Sequence, residues 1–344
     1  MSETFNTFSP SFGNRPNALV GRQDVIGEFL SGLKGVPGNM KRATFFSGQR
    51  GMGKTALLLE LASKAEKMDF VVANVLANAG MMDEIIQLLQ LNGAGYVDKS
   101  PGRFKAINVG VPGFSFGLTF SDEIKELAAT YQHLVGEGKN IAIAMAGLSS
   151  AVSGVLNGKM LTFLNRANKV RLASIPLNDI SIYYSSVFKR LGKKIDAESL
   201  EKAVTATRGY PYLLQLVGYY ILEYAGDSRT ITRDAVQLAE NSAKRELIET
   251  VYLPSLRPLS KTDMKFLRAM AESGESGTVA EVMKRMDASN ATVQQYRARL
   301  IASGIVTSSA HGMTASATAI LDMSSAYKFT PWTVLPTSSR GGAQ

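Results

Sequence analysis

The residues of this chain best suited to chemistry stand together. Gly48-Gln49-Arg50-Gly51-Met52-Gly53-Lys54-Thr55 has the spacing G-x-x-x-x-G-K-T, and Ala56 follows it. That spacing is a phosphate loop. Its glycines let the backbone turn N–H groups inward, so that the amides from Gly51 to Thr55 surround a phosphate at a helix N-terminus. Lys54 is expected to place a point charge on the β- and γ-phosphates of a nucleoside triphosphate. The Thr55 hydroxyl is expected to take one Mg²⁺ position.

A phosphate loop works only when a strand and a helix hold it open. The apolar segment 43–47 supplies the strand, and 54–67 reads as the helix. Valine-rich 70–76 and apolar 141–145 read as strands buried on both faces, with a shorter one at 169–173. Helical patterns lie at 81–90 and 122–135, and the Gly-rich stretch 93–121 carries no clear periodicity. Strands alternating with helices predict a parallel α/β sheet with crossovers. Upstream, 1–16 is polar and reads as a mobile arm, and 23–33 reads as a helix. From 178 to 250 the pattern is helical throughout, which suggests a lid over the sheet. Pro254 and Pro258 then flank a linker.

The segment after the linker carries a second informative pattern. A helix begins at Leu259-Ser260-Lys261-Thr262-Asp263, and a short one follows with Val279, Val282, Met283 and Met286 on one face. Asp287-Ala288-Ser289-Asn290 forms a turn and cap before a third helix. On that helix Val293, Tyr296, Leu300 and Ile301 fall at core spacing, which turns Gln294, Gln295, Ala298 and Arg299 outward. Residues 304–306 and 311–320 supply a small β-wing. Three helices and a wing predict a winged helix-turn-helix, with Gln294, Gln295, Arg297 and Arg299 as candidates for DNA base edges and phosphates. A winged module used only for protein contacts fits the same pattern.

Composition sets the outer limits. The chain has 344 residues, room for two domains or three small ones, and 45% of them are apolar. It has no cysteine, hence no disulfide, thiolate metal site or cysteine nucleophile, which suits a reducing cytoplasm. Two histidines, His133 and His311, are too few for a His-rich metal centre. No apolar run is long enough to cross a bilayer, so no membrane partner is expected. A net charge of +9 is compatible with a polyanionic partner.

In four places the chain resembles the archaeal-type AAA+/STAND P-loop ATPases, whose Orc1-like ATPase domain is followed by a winged helix. These are Val20-Gly21-Arg22-Gln23-Asp24, the phosphate loop, the 141–145 strand running into Ala146-Gly147-Leu148-Ser149-Ser150, and Arg208-Gly209-Tyr210-Pro211-Tyr212-Leu213-Leu214. The resemblance spans 18–328. It implies ATP or ADP with Mg²⁺ as ligand and places Gly21 and Arg22 near the adenine. A polar γ-phosphate sensor is implied after the 141–145 strand, and a lid motif at Arg208 and Pro211. Pro211 suits the first position of the lid helix. Arg208 has two roles open to it, a second sensor of the nucleotide or a cap on the negative end of the preceding helix. Arg166 and Arg171 lie where a ring of such ATPases presents an arginine finger, although basic residues on a solvated helix end are commonplace.

Hydrolysis in this class implies a strand ending in an acidic pair, the Asp assisting the Mg²⁺ shell and the Glu polarising water. Residues 116–123 stand at that topological place, which makes Asp122 and Glu123 the catalytic candidates and Asp122 a second metal candidate. Yet 116–120 alternates and contains Gly117, both poor for a central parallel strand. Both acids also suit the first turn of the next helix. Two weaker motifs fall away. Gly113 to Gly117 fits G-x-S-x-G but lacks the helix a nucleophile elbow needs. Gly51 to Ala56 fits G-x-G-x-x-A, but the second strand ends with Asn74 and Asn78 rather than an acid for a ribose.

The expected architecture is an α/β P-loop NTPase with a parallel sheet, a helical lid and a C-terminal winged helix-turn-helix. Its parts are an arm (1–16), the ATPase domain (17–176), the lid (177–253), the winged helix (254–330) and a tail (331–344). The expected function is that of a cytoplasmic ATP-binding protein, a probable ATPase, that couples nucleotide binding or hydrolysis to movement of the winged helix. That movement would act on DNA, a protein partner or a homo-oligomer. The alternative is a regulatory switch or transcription regulator with little or no hydrolysis.

Overall fold

A computed structural model describes residues 7–11, 15–78, 80–94, 107–110, 122–148, 166–273, 278–303, 305–309 and 312–315. The chain forms two compact units. The first takes Met1–Pro254 and Ala302–Gly304, the second Ser255–Ile301 and Ile305–Gln344.

In the first unit, α1 (Gln23–Lys34) leads through a 3₁₀ turn (Met40–Arg42) into β1 (Ala43–Ser47) and α2 (Lys54–Glu66). There follow β2 (Ala73–Leu76), α3 (Met81–Gly93), β3 (Ile107–Gly110), α4 (Asp122–Gly136), β4 (Ile143–Gly147) and β5 (Asn168–Arg171). The five strands are parallel in the order β2-β3-β4-β1-β5. Successive residues of β1 serve opposite faces, as a strand period of two requires. Phe45 packs with α3 and α4 through Ile85, Leu127 and Tyr131, while Phe46 packs with α1 and α2 through Phe29, Leu57 and Leu61. In β4, Ile143 and Met145 fill the first face, and the small Ala144 and Ala146 leave room on the second.

Among the described residues the third strand is Ile107–Gly110; the segment 116–120, expected as a strand, lies outside the described residues. Val109 stands in register with Val75 of β2 and Met145 of β4, so the short run Ile-Asn-Val-Gly closes the sheet.

Four helices fill the segment expected as the lid, and the term is kept for it: α5 (Leu177–Arg190), α6 (Ala197–Ala206), α7 (Pro211–Ala225) and α8 (Arg233–Leu247). The two-residue strands β6 (Lys194–Ile195) and β7 (Thr230–Ile231) pair beside them. At the centre lies α7, which buries Leu213, Leu214, Leu216, Val217 and Ile221. Tyr184 is fully buried and donates its hydroxyl to the Leu214 carbonyl at 2.7 Å.

The described residues of the N-terminal arm, 7–11 and 15–16, include packed ones. Within it, Thr7 and Phe8 are buried, and the Phe8 ring meets Tyr183 and Tyr184 edge-on at centroid distances of 6.0 and 5.7 Å. The Ser9 amide donates to Gln215 Oε1 at 2.9 Å. Phe8, one of three phenylalanines in a polar segment, thus joins a core made by residues far along the chain.

The second unit contains α9 (Lys261–Glu272), α10 (Val279–Met286), α11 (Asn290–Ala302) and an antiparallel hairpin of β8 (Val306–Ser309) and β9 (Gly312–Ala315). Capping boxes start α9 at Ser260 with Asp263 and α10 at Thr278 with Glu281. Phe266, Leu267, Met270, Val282, Met286, Val293 and Leu300 form its core. Wing residues 304, 310–311 and 316–320 and the tail 331–344 lie outside the described residues. Among the described residues, no helix is long and apolar enough to cross a membrane.

Candidate nucleotide-binding site

The phosphate loop joins the C-terminal end of central β1 to the N-terminus of α2. In an open parallel sheet ligands bind outside the carboxyl ends of the strands, where the order reverses. Here β1 is followed in sequence by β2, at the far edge, while β5 flanks it on the other side. Gly51 (φ +75°) and Gly53 (φ +76°) adopt left-handed backbone that only glycine takes cheaply, and α2 starts directly after Gly53. Neither the Gly51 nor the Gly53 amide has a hydrogen-bond partner among the described residues. The start of α2 thus combines uncapped N–H groups with the positive end of a helix.

Lys54 lies within this curl. Its ammonium donates to the Gly48 and Gln49 carbonyls at 2.9 and 2.6 Å. Burial, reinforced by the nearby Arg50 guanidinium, pushes its pKa down to about 8. A cation disfavoured in this way gains when a phosphate arrives. Thr55 is exposed in the first turn of α2, and Ala56 follows it. The residues therefore fit a triphosphate with Mg²⁺: loop amides and Lys54 for the phosphates, the Thr55 hydroxyl for the metal.

The lid motif reaches the loop directly. Pro211 is the first residue of α7, and its Cβ would lie 3.8 Å from a Cβ built on Gly53. Tyr210, the residue before it, donates its hydroxyl to the Arg50 carbonyl. Arg208 is exposed with φ +51°, so the chain turns sharply after α6. The Gly209 carbonyl then accepts from the Ile175 amide at 2.7 Å. Tyr210 is not among the expected site residues, although it stands between Arg208 and Pro211 in the lid motif.

Gly21 and Arg22 also come to this region. Gly21 (φ +63°) sits against Ile175, Pro176 and Asp179 at the start of α5. Arg22 is buried, with Nη2 2.8 Å from the Ala173 carbonyl and 3.5 Å from the Met52 carbonyl. Burial lowers its pKa. Arg22 thus braces the phosphate loop against the segment after β5. Arg171 ends β5 in register with Ser47, beside the loop, and Arg166 is exposed. Ser149 and Ser150, the expected sensor, lie outside the described residues.

Of the acidic pair, Glu123 has described side-chain partners, and they lie at another helix. Asp122 is the first residue of α4. Both Glu123 carboxylate oxygens accept backbone amides at the start of α3, from Gly80 at 2.7 Å and Met82 at 3.0 Å. Those two bonds hold its pKa low. The α3 N-terminus follows β2, three strands from β1, a separation of about 14 Å at the usual strand spacing. Glu123 is a cap on α3, as its position in a helix start allowed. Moreover, the stretches after the five strands (48–53, 77–80, 111–121, 148–167 and 172–178) contain no Asp or Glu at all.

In the second unit, Gln294 and Gln295 are exposed on α11. Arg297 is half-buried, and its Nη1 lies 3.4 Å from Gln294 Oε1. Arg299 differs from expectation: its guanidinium is paired with buried Asp263 of α9 and lies 4.8 Å over the Tyr296 ring. It ties α11 to α9. Burial alone would raise the Asp263 pKa, but bonds from Ser260 and Arg299 outweigh it and bring it down.

Sheet order, phosphate loop and lid are those of a P-loop ATPase fold, and comparison with solved structures supports that fold. A Walker-type ATPase of Pyrococcus abyssi superposes with a TM-score of 0.64 at 14% identity, covering 88% of this chain and 96% of that one. At such identity the likeness is one of fold. Cdc6p from Pyrobaculum aerophilum aligns at a TM-score of 0.48 and 14% identity, over 92% of this chain and 95% of its own. The Thermotoga maritima RuvB Holliday junction branch migration motor aligns at 0.47 and 14% identity, over 90% and 98%. Residues 249–322 match a family described as a domain of unknown function (DUF8462). No curated protein sequence matches the chain.

Proposed function

We propose that the chain binds ATP with Mg²⁺ between the phosphate loop and the lid. Nucleotide state then moves the C-terminal unit on DNA or on a protein partner, with little turnover. The observation that carries this reading is the contact of lid and loop. Tyr210 and Pro211 meet the same glycine loop whose amides and Lys54 suit a phosphate. A ligand in that loop meets both bodies at once, so its presence has a different free energy with the lid open and closed. Bound Mg²⁺ supplies charge to balance the phosphates, and Thr55 is the residue placed to help hold it.

Binding is favoured over hydrolysis because the strand ends carry no carboxylate to orient a water, and Glu123 is committed to α3. Three helices followed by an antiparallel hairpin support a winged-helix reading of the second unit, in which exposed Gln294 and Gln295 would be the residues offered to DNA. Labelled-ATP binding by full-length Lys54→Ala tests the site. Losing a charged hydrogen-bond donor should weaken binding about 10- to 100-fold. An unchanged Kd overturns the assignment. Deleting residues 255–344 should abolish retention on DNA while sparing ATP binding, and retention by the truncated chain would remove the winged-helix role.

A further inference from the structure

We propose that Tyr210 is a positioning residue for the phosphate loop: by holding the Arg50 carbonyl it fixes the direction of the Gly51 amide and makes phosphate binding depend on lid closure. This rests on the nucleotide reading above and adds a regulator to the same site.

The geometry begins with one peptide plane. The Tyr210 hydroxyl donates to the Arg50 carbonyl. No described peptide bond is cis, so the N–H of Gly51 points opposite to that carbonyl, away from the tyrosine. The ring rests so closely on the loop that a Cβ built on Gly51 would lie 2.5 Å from Tyr210 Cζ. Only glycine tolerates both that approach and φ +75°. A glycine plane without an anchor rotates easily; the hydroxyl is its anchor.

Tyr210 is itself held in place. Its amide donates to the Thr207 carbonyl at 2.8 Å, and Gly209 before it accepts from Ile175 at 2.7 Å. Pro211 after it has a fixed φ, and the Tyr210 ring packs on the lid core. Burial pushes the Tyr210 pKa far up, so the hydroxyl stays a donor. The loop carbonyls of Gly48 and Gln49 are meanwhile held by Lys54. Three successive carbonyls are thus restrained, two by the loop's own lysine and the third by the lid. A phosphate that draws Lys54 to itself leaves the Arg50 carbonyl as the restraint that reports lid position.

The test uses the full chain and a fluorescent ATP analogue. Tyr210→Phe keeps the ring and removes the hydroxyl. A net hydrogen bond is worth enough to raise the nucleotide off-rate about 3- to 10-fold with little change in on-rate. Tyr212→Phe is the control, because that lid hydroxyl faces Thr250 Oγ1 at 3.1 Å instead of the loop. It should leave the off-rate at the wild-type value. In ligand-free protein the Gly51 amide resonance should shift in Tyr210→Phe alone. Unchanged off-rate and resonance in Tyr210→Phe overturn the proposal, as do equal effects in both variants, which would mean general loosening of the lid. Loss of ATP binding in Lys54→Ala beside a silent Tyr210→Phe refutes only the positioning role. A wild-type chain that binds no ATP refutes the nucleotide reading and this one with it.

Discussion

Gly218→Ala offers a test by sign. Gly218 lies in the middle of α7, where replacing glycine by alanine ordinarily stabilises a helix by about 0.5–1 kcal/mol. Here a Cβ at Gly218 would stand 2.6 Å from Cδ1 and Cζ of Phe8, a distance no pair of carbons sustains. The ring must leave, or α5 and α7 must part. Phe8 is 2% exposed, and truncating a fully buried phenylalanine costs about 3–5 kcal/mol. Setting that loss against the helix gain leaves a net destabilisation of about 2–4 kcal/mol. The assay is urea unfolding by far-ultraviolet circular dichroism on wild type, Gly218→Ala, Phe8→Ala and the double variant. In the Phe8→Ala background the collision is gone, so Gly218→Ala should there stabilise by about 0.5–1 kcal/mol. Stabilisation in the wild-type background, or simple additivity, would refute docking of the N-terminal segment in the lid.

Three further outcomes are expected. Because the Lys54 pKa is lowered to about 8 and a bound phosphate raises it, ATP binding takes up a proton above that pH. Affinity by equilibrium titration should be flat below pH 8 and fall toward about tenfold per unit above it, and a flat profile to pH 9.5 contradicts the assignment. The depressed Asp263 pKa contributes stability that is present above the unfolded carboxylate pKa and lost as pH falls through the folded value. Asp263→Ala, which removes both the α9 cap and the Arg299 partner, should cost the second unit about 2 kcal/mol, seen as faster hydrogen exchange in α9. Gln294→Ala with Gln295→Ala should weaken DNA retention about tenfold or more without altering α11 exchange, and unaltered retention would exclude that face.

What could be read in the sequence was local. The phosphate loop, β1 and α2 are contiguous, and their signals of apolar run, glycines and amphipathic helix reinforce one another. Pro211 marks the start of α7 because proline at a first helical position acts through its own φ. β3 escaped detection because Ile107–Gly110 is only four residues long and includes Asn108 and Gly110, so its strand character comes from pairing with β2 and β4. Phe8 escaped because its partners lie near residues 183–188 and 218. Arg299 has the type and exposed face expected of a phosphate contact, yet its partner Asp263 stands 36 positions away and no helical period brings the two together. Arg42 is the extreme case. It is buried among the carbonyls of Gly32, Leu33 and Gly35 and the Asn140 side chain, so it closes the C-terminal end of α1 with no acidic partner among the described residues.

The placement of Glu123 decides how such a switch would be timed. To act on a water at the phosphate loop its carboxylate would have to abandon two backbone amides at the start of α3 and travel about 14 Å across β3 and β4. The start of α3 would then lose its cap, and the carboxylate would need a route past a packed sheet edge. The stretches that follow the five strands of the parallel sheet supply no substitute acid. With hydrolysis thus disfavoured, the lifetime of the nucleotide-bound state falls to dissociation. Dissociation in turn depends on contacts between lid and loop, which are Tyr210 on the Arg50 carbonyl and Pro211 beside Gly53. On the proposed reading the residues that close the site also set its clock, so lid substitutions should change how long the switch stays on, whereas Lys54 should change whether it turns on at all.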